Sequence, residues 1–87
     1  MLTAYIRAAM SRATYELLEN GEGYYGEIPG LQGVWANEDT LEVCRNELQS
    51  ALEDWIWLGL RLGHIIPPLD GIDLSQAVAP IPVDEAA

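Results

Sequence analysis

The chain has no lysine, a single cysteine, a single histidine and no apolar run of about 20 residues. Each scarcity closes a class of function. The only cations besides His64 are Arg7, Arg12, Arg45 and Arg61, against 14 carboxylates, which gives a net charge of −10 at pH 7. They are scattered and form no basic stripe, so a phosphodiester backbone would find little counter-charge, and direct DNA or RNA binding is not expected. One cysteine excludes an internal disulfide framework and suits a reducing, cytoplasmic setting. Arg7 and Arg12 interrupt the first apolar residues, so these do not form a signal peptide, and nothing elsewhere is long enough to cross a membrane.

What remains is a chain of 87 residues, 49% apolar, with mean hydropathy +0.04. That is enough for one small domain and too apolar for a disordered segment. Domains of this size bury their surface only marginally, which makes self-association, as a dimer or tetramer, an expectation. The acidic excess matches a basic partner, because complementary charge raises encounter rate and specificity. It also serves solubility alone.

Leu2, Tyr5, Ile6, Ala9 and Met10 carry helical spacing, and an N-terminal helix is expected over residues 1–12. Thr14 to Glu19 alternates as a strand does, Asn20-Gly21-Glu22-Gly23 is a hairpin turn, and Tyr24 to Ile28 is a second strand. Pro29-Gly30 with Gly33 makes a tight connection to a third strand, Val34-Trp35-Ala36. Asp39 and Thr40 are both suitable helix caps, and Asp39 stands three positions before Glu42, as in a capping box. From there a helix of about six turns runs to Leu62, stopped by Gly63. Its sheet-facing stripe is Leu41, Cys44, Leu48, Ala51, Leu52, Trp55, Gly59 and Leu62. At about 1.5 Å per residue this helix outreaches the strands. The overhanging end carries Ile56, Trp57 and Leu60 on a further side, where a second chain or the N-terminal helix should cover them. Pro67-Pro68 forbids further helix, Ile72-Asp73-Leu74 is a candidate edge strand, and residues 77–87 read as an acidic, proline-spaced tail.

Candidate chemistry is thin. Glu16 and Glu27 suit neighbouring strands and Asp39 a strand end, but the glutamates fall in the polar half of an alternating pattern, where solvated side chains belong. Metal-dependent hydrolysis is therefore not expected. His64 follows a helix C-terminus, which favours a cationic ring there, and no second ligand or nucleophile accompanies it. Cys44 belongs to the apolar stripe and reads as a buried, inert thiol. Tyr24, Tyr25, Trp35, Trp55 and Trp57 lack the basic neighbours of a base-stacking surface and suit core packing and a protein interface.

Residues 25–36, Tyr-Gly-Glu-Ile-Pro-Gly-Leu-Gln-Gly-Val-Trp-Ala, resemble the strand, proline, leucine, glycine, strand core of the HicB-like antitoxin domain. Glu38-Asp39-Thr40-Leu41-Glu42-Val43-Cys44, the helix from Asn46 to Trp55, and Pro67-Pro68 continue the resemblance, which spans about residues 15–74. It implies an α+β fold: a three-stranded antiparallel meander, one long helix and a short edge strand (β-β-β-α-β, a reduced RNase H-like domain over residues 13–76). The N-terminal helix lies outside this core. It also implies a non-enzymatic protein, with no cofactor or metal, that binds and blocks a small basic HicA-type toxin cleaving mRNA. The surface expected to do so holds Tyr24, Tyr25, Glu27, Trp35, Glu38 and Asp39. Ile56, Trp57 and Leu60 are expected in an oligomer interface. The DNA-binding segment that many family members carry after this domain has no counterpart after Leu74, which opens a second reading: an unpaired relative acting as a homo-oligomeric adaptor. A residual RNase H-like nuclease is a third reading.

Overall fold

A computed structural model describes residues 2–74. They form α1 (Leu2–Ser11), β1 (Thr14–Leu17), β2 (Tyr24–Glu27), β3 (Trp35–Glu38) and α2 (Leu41–Leu62). The strands make one antiparallel sheet in the order β1-β2-β3, pairing Tyr15 with Gly26 and Gly26 with Ala36. The expected α+β meander and long helix are therefore present. The Asn20-Gly21 hairpin also forms as its residues dictate: both hold positive φ (61° and 71°), and Glu22 N–H donates to the Glu19 carbonyl at 3.3 Å.

The connection from β2 to β3 is two turns in succession. Leu31 N–H donates to Ile28 O at 3.1 Å and Val34 N–H to Leu31 O at 3.3 Å. Gly30 and Gly33, the third residue of each turn, take φ of 90° and 92°, as a type II turn requires. Every third side chain, Ile28, Leu31 and Val34, consequently points inward and is buried. Val34 thus belongs to the turn and to the core, and β3 begins one residue later, at Trp35.

Thr40, not Asp39, caps α2: its side chain accepts from Val43 N–H at 3.1 Å. The third helical position is then Val43, so no capping box forms. At the other end Gly63 adopts the left-handed conformation, and Gly63 and His64 N–H donate to Leu60 O (3.3 Å) and Gly59 O (2.8 Å). This pair of bonds is a Schellman closure.

The buried stripe of α2 is Cys44, Leu48, Leu52, Ile56 and Gly59, while Leu41 and Leu62, expected inside, are exposed. Ile56 corrects the sequence-based placement. It continues the four-residue spacing of Cys44, Leu48 and Leu52, and at 2% exposure it is core rather than an outward-facing residue.

The overhanging end of α2 is partly clothed by the chain itself. Helix α1 contributes Tyr5 and Ala9 to the core, and the segment after Gly63 contributes Ile66 and Leu69. The Tyr5 hydroxyl donates to Pro67 O at 2.5 Å, and Arg12 forms an ion pair with Asp70. These contacts explain why Ile72–Leu74 does not become an edge strand. Leu69 and Ile72 exchange both backbone hydrogen bonds (3.0 and 2.7 Å) around Asp70-Gly71, so the segment closes on itself beside α1. Among the described residues the sheet keeps three strands. The expected tail, residues 77–87, lies outside the described residues.

Candidate recognition surface

Alternation along the strands sorts side chains onto two faces. Tyr15, Gly26 and Ala36 form a row across the sheet beneath α2. Gly26 is needed there: a Cβ would lie 2.9 Å from the Tyr15 ring and 3.2 Å from Cys44 Sγ. With no side chain in the way, Cys44 settles against the sheet, its thiol 3.6 Å from the carbonyls of Tyr24 and Ala36. Burial pushes the thiol pKa up, which is the setting of an inert cysteine.

The opposite face carries Thr14, Glu16, Tyr25, Glu27, Trp35 and Asn37, all exposed except the half-buried Tyr25. Pairing sets Tyr25 opposite Asn37 and Glu27 opposite Trp35, so the two aromatic rings are diagonal neighbours. They stack with centroids 6.2 Å apart and planes inclined by 23°. The Tyr25 hydroxyl donates to Glu27 Oε1 at 3.3 Å, and desolvation together with the Glu27 charge raises the tyrosine pKa. Asn37 Nδ2 donates to Glu22 O (3.0 Å) and Tyr24 O (2.9 Å), tying β3 to the end of the β1–β2 hairpin. The result is a flat aromatic pair, 55% exposed at Trp35, framed by two carboxylates.

Of the six residues expected on this surface, Tyr25, Glu27 and Trp35 are brought together. Tyr24 and Glu38, paired with each other, fall on the helix side of the sheet, and Asp39 lies exposed in the turn before α2. Glu16 was missed as a neighbour of this face, although its alternation phase with Tyr15 and Leu17 already put it there. A groove of about 430 Å³ continues the acidic character along the open edge of β3, where Glu38 meets Glu47 and Asp54 of α2. Among the described residues no group of three or more His, Cys, Asp or Glu side chains is close enough to share a metal ion, and no helix is long and apolar enough to cross a membrane.

The expected interface trio borders one shallow hollow together with Leu2 and Ile6 of α1 and with Glu53, at different depths. Ile56 is buried, Leu60 is half-buried and Trp57 is 64% exposed. The Arg61 guanidinium lies 5.9 Å from the Trp57 ring centre.

No curated protein matches the chain. Among solved structures, the crystal structure of TTHA0281 from Thermus thermophilus superposes with a TM-score of 0.77 at 50% sequence identity, covering 83% of this chain and 89% of that one. The UPF0150-like family model matches residues 4–67, a span that takes in α1 as well as the sheet and α2. The chain belongs to the UPF0150-like family.

Proposed function

We propose that this protein is a HicB-like antitoxin, which binds a small basic RNA-cleaving toxin of the HicA type and blocks it without doing chemistry of its own. The observation that carries this reading is the stacked Tyr25–Trp35 pair, half-buried at Tyr25 and exposed at Trp35, between Glu16 and Glu27 on the sheet face opposite α2. Aromatic anchors ringed by charge are the usual energetic centre of a protein interface. The carboxylates would pair with a basic partner and steer its approach. The HicB-like residue pattern runs through these same strands, and the groove of Glu38, Glu47 and Asp54 extends the acidic surface along the β3 edge. The protein would act in the cytoplasm, beside its toxin and the mRNA that the toxin cuts.

The test is co-expression with the small basic protein encoded beside it, followed by calorimetric titration and an RNA-cleavage assay. Association at micromolar concentration or better, with cleavage suppressed at equimolar ratio, is expected. Replacing Trp35 by alanine together with Glu27 by lysine weakens it by about 10-fold or more. Absence of association at about 10 µM rejects the reading. A second reading, a homo-oligomeric adaptor with no toxin, draws support from the exposed apolar residues near the end of α2. It would leave RNA cleavage untouched.

A further inference from the structure

We infer that an extended basic segment of a partner protein adds to the sheet as a fourth strand, pairing with the open edge of β3 in the acidic groove beside α2. The inference deepens the antitoxin reading and rests on it only for the protein that supplies the segment.

Hydrogen-bond parity shows that this edge is open. Leu18 N–H donates to Gly23 O at 2.7 Å, which makes Glu16–Tyr25 and Thr14–Glu27 the hydrogen-bonded pairs of β1 and β2. Tyr25 therefore turns its backbone N–H and C=O toward β1, while Tyr24 and Gly26 turn theirs toward Glu38 and Ala36. Trp35 and Asn37 alternate with those two residues of β3, so their N–H and C=O groups point away from the sheet. Among the described residues no backbone group pairs with them. An edge in this state takes a further strand through main-chain hydrogen bonds.

Side chains decide which strand. All four residues of β3 line the groove of about 430 Å³, and its other wall is Glu47, Ser50, Ala51 and Asp54 of α2. Ser50 and Ala51 are small and leave room for incoming side chains. Glu47 and Asp54 are exposed and stand two helical turns apart, about 10 Å along the axis. Alternate residues of an added strand would meet these carboxylates and Glu38, and the residues between them would lie beside Trp35 on the other face. The segment that fits therefore alternates arginine or lysine with apolar residues.

The same charges disfavour a second copy of the chain. Pairing β3 with β3 across a two-fold axis would set Glu38, Glu47 and Asp54 of one copy against those of the other. The β1 edge is the wrong one for a basic segment. Arg45 stands beside Tyr15 there, and it shares with Arg7 a hollow that no carboxylate lines.

The probe is the capped hexapeptide acetyl-Arg-Val-Arg-Val-Arg-Val-amide, titrated into the full chain in about 0.1 M salt and followed by amide hydrogen exchange. Binding with a Kd of about 1 mM or tighter is expected. Exchange at Trp35 and Asn37 should slow by about 10-fold or more, while that at the already paired Ala36 and Glu38 should change by less than about 2-fold. Glu47→Lys with Asp54→Lys should weaken binding by about 10-fold or more. A peptide with proline in place of every valine keeps the charge but not the strand, and should bind at least about 10-fold more weakly. No binding of the first peptide, binding that leaves exchange at Trp35 and Asn37 untouched, or equal binding of the proline peptide overturns the inference. The basic neighbour protein separates the two readings. If it binds without protecting these two amides, the antitoxin reading stands and strand addition falls. If it does not bind while the peptide does, the antitoxin reading falls and the edge remains a site for basic strands.

Discussion

The Tyr5 hydroxyl donates a 2.5 Å hydrogen bond to the carbonyl of Pro67, joining α1 to the segment that follows α2. The ring is fully buried, so this bond closes the core between two parts of the chain 62 residues apart. Tyr5→Phe keeps the packing and leaves the Pro67 carbonyl without its donor. A loss of about 1–2 kcal/mol is expected. Tyr5→Ala should cost about 3–5 kcal/mol, by analogy with other buried aromatic truncations. Urea unfolding at neutral pH measures both.

Gly26→Ala addresses the row beneath α2. The new methyl would meet the Tyr15 ring at 2.9 Å and Cys44 Sγ at 3.2 Å, and both are held by packing. Overfilling of this kind costs about 1–3 kcal/mol. Pairing the change with Cys44→Ala relieves one of the two contacts, so the double variant should be more stable than the sum of the singles. A double-mutant cycle by urea unfolding reads that coupling.

Tyr15 supplies the opposite case. Its hydroxyl is shielded from solvent and has no partner in good hydrogen-bond geometry, and burial raises its pKa while the charge and the polar contact of the Arg45 guanidinium beside it oppose the rise. Removing an unsatisfied buried hydroxyl relieves a desolvation cost. Tyr15→Phe should therefore leave stability unchanged or raise it by up to about 1 kcal/mol, the reverse of Tyr5→Phe. Thermal unfolding of the two variants side by side distinguishes these roles.

Alkaline pH should weaken the fold through the buried thiol. Burial raises the Cys44 pKa in the folded protein, so the unfolded chain loses that proton first. The contribution is complete below the unfolded thiol value, about 8.5, and is lost as pH rises toward the folded value. Tyr5 and Tyr15, both raised mainly by burial, extend the decline at higher pH. The urea midpoint should fall above about pH 8.5, and Cys44→Ala should remove the first part of that fall. Ellman's reagent should react with the native protein only as fast as it opens.

Local chemistry made several elements legible in advance. Asn20-Gly21 specifies its hairpin because both residues tolerate positive φ, and Gly63 specifies the end of α2 for the same reason. Helix α2 announced itself by length and spacing. What failed were decisions between neighbours. Asp39 and Thr40 are equally good caps as residue types, and only the backbone path leaving β3 selects Thr40. Ile56 was grouped with Trp57 and Leu60 on a side to be covered by a second chain or the N-terminal helix, because the helix end is apolar all round, and its four-residue step from Leu52 puts it in the core. The placing of Ile72–Leu74 turned on contacts from Tyr5 and Arg12, some 60 residues away in sequence, which no local pattern carries. Of the candidate surface residues, Tyr25, Glu27 and Trp35 share one face of the sheet, as strand alternation dictates. Tyr24 and Glu38 were grouped with them by adjacency in sequence, which in a strand means the opposite side.

The double turn from Ile28 to Val34 imposes a rhythm that neither a strand nor a helix shares. Its inward residues fall every third position, and the glycines at 30 and 33 keep the same beat. Deep mutational scanning across residues 28–34 should therefore show two interleaved combs of intolerance, one for bulk at 28, 31 and 34 and one for glycine at 30 and 33, with Gln32 free to vary between them. An insertion of one residue would break both combs at once, whereas the Asn20-Gly21 tip, with nothing within 4 Å of a Cβ at Gly21, should accept a short graft.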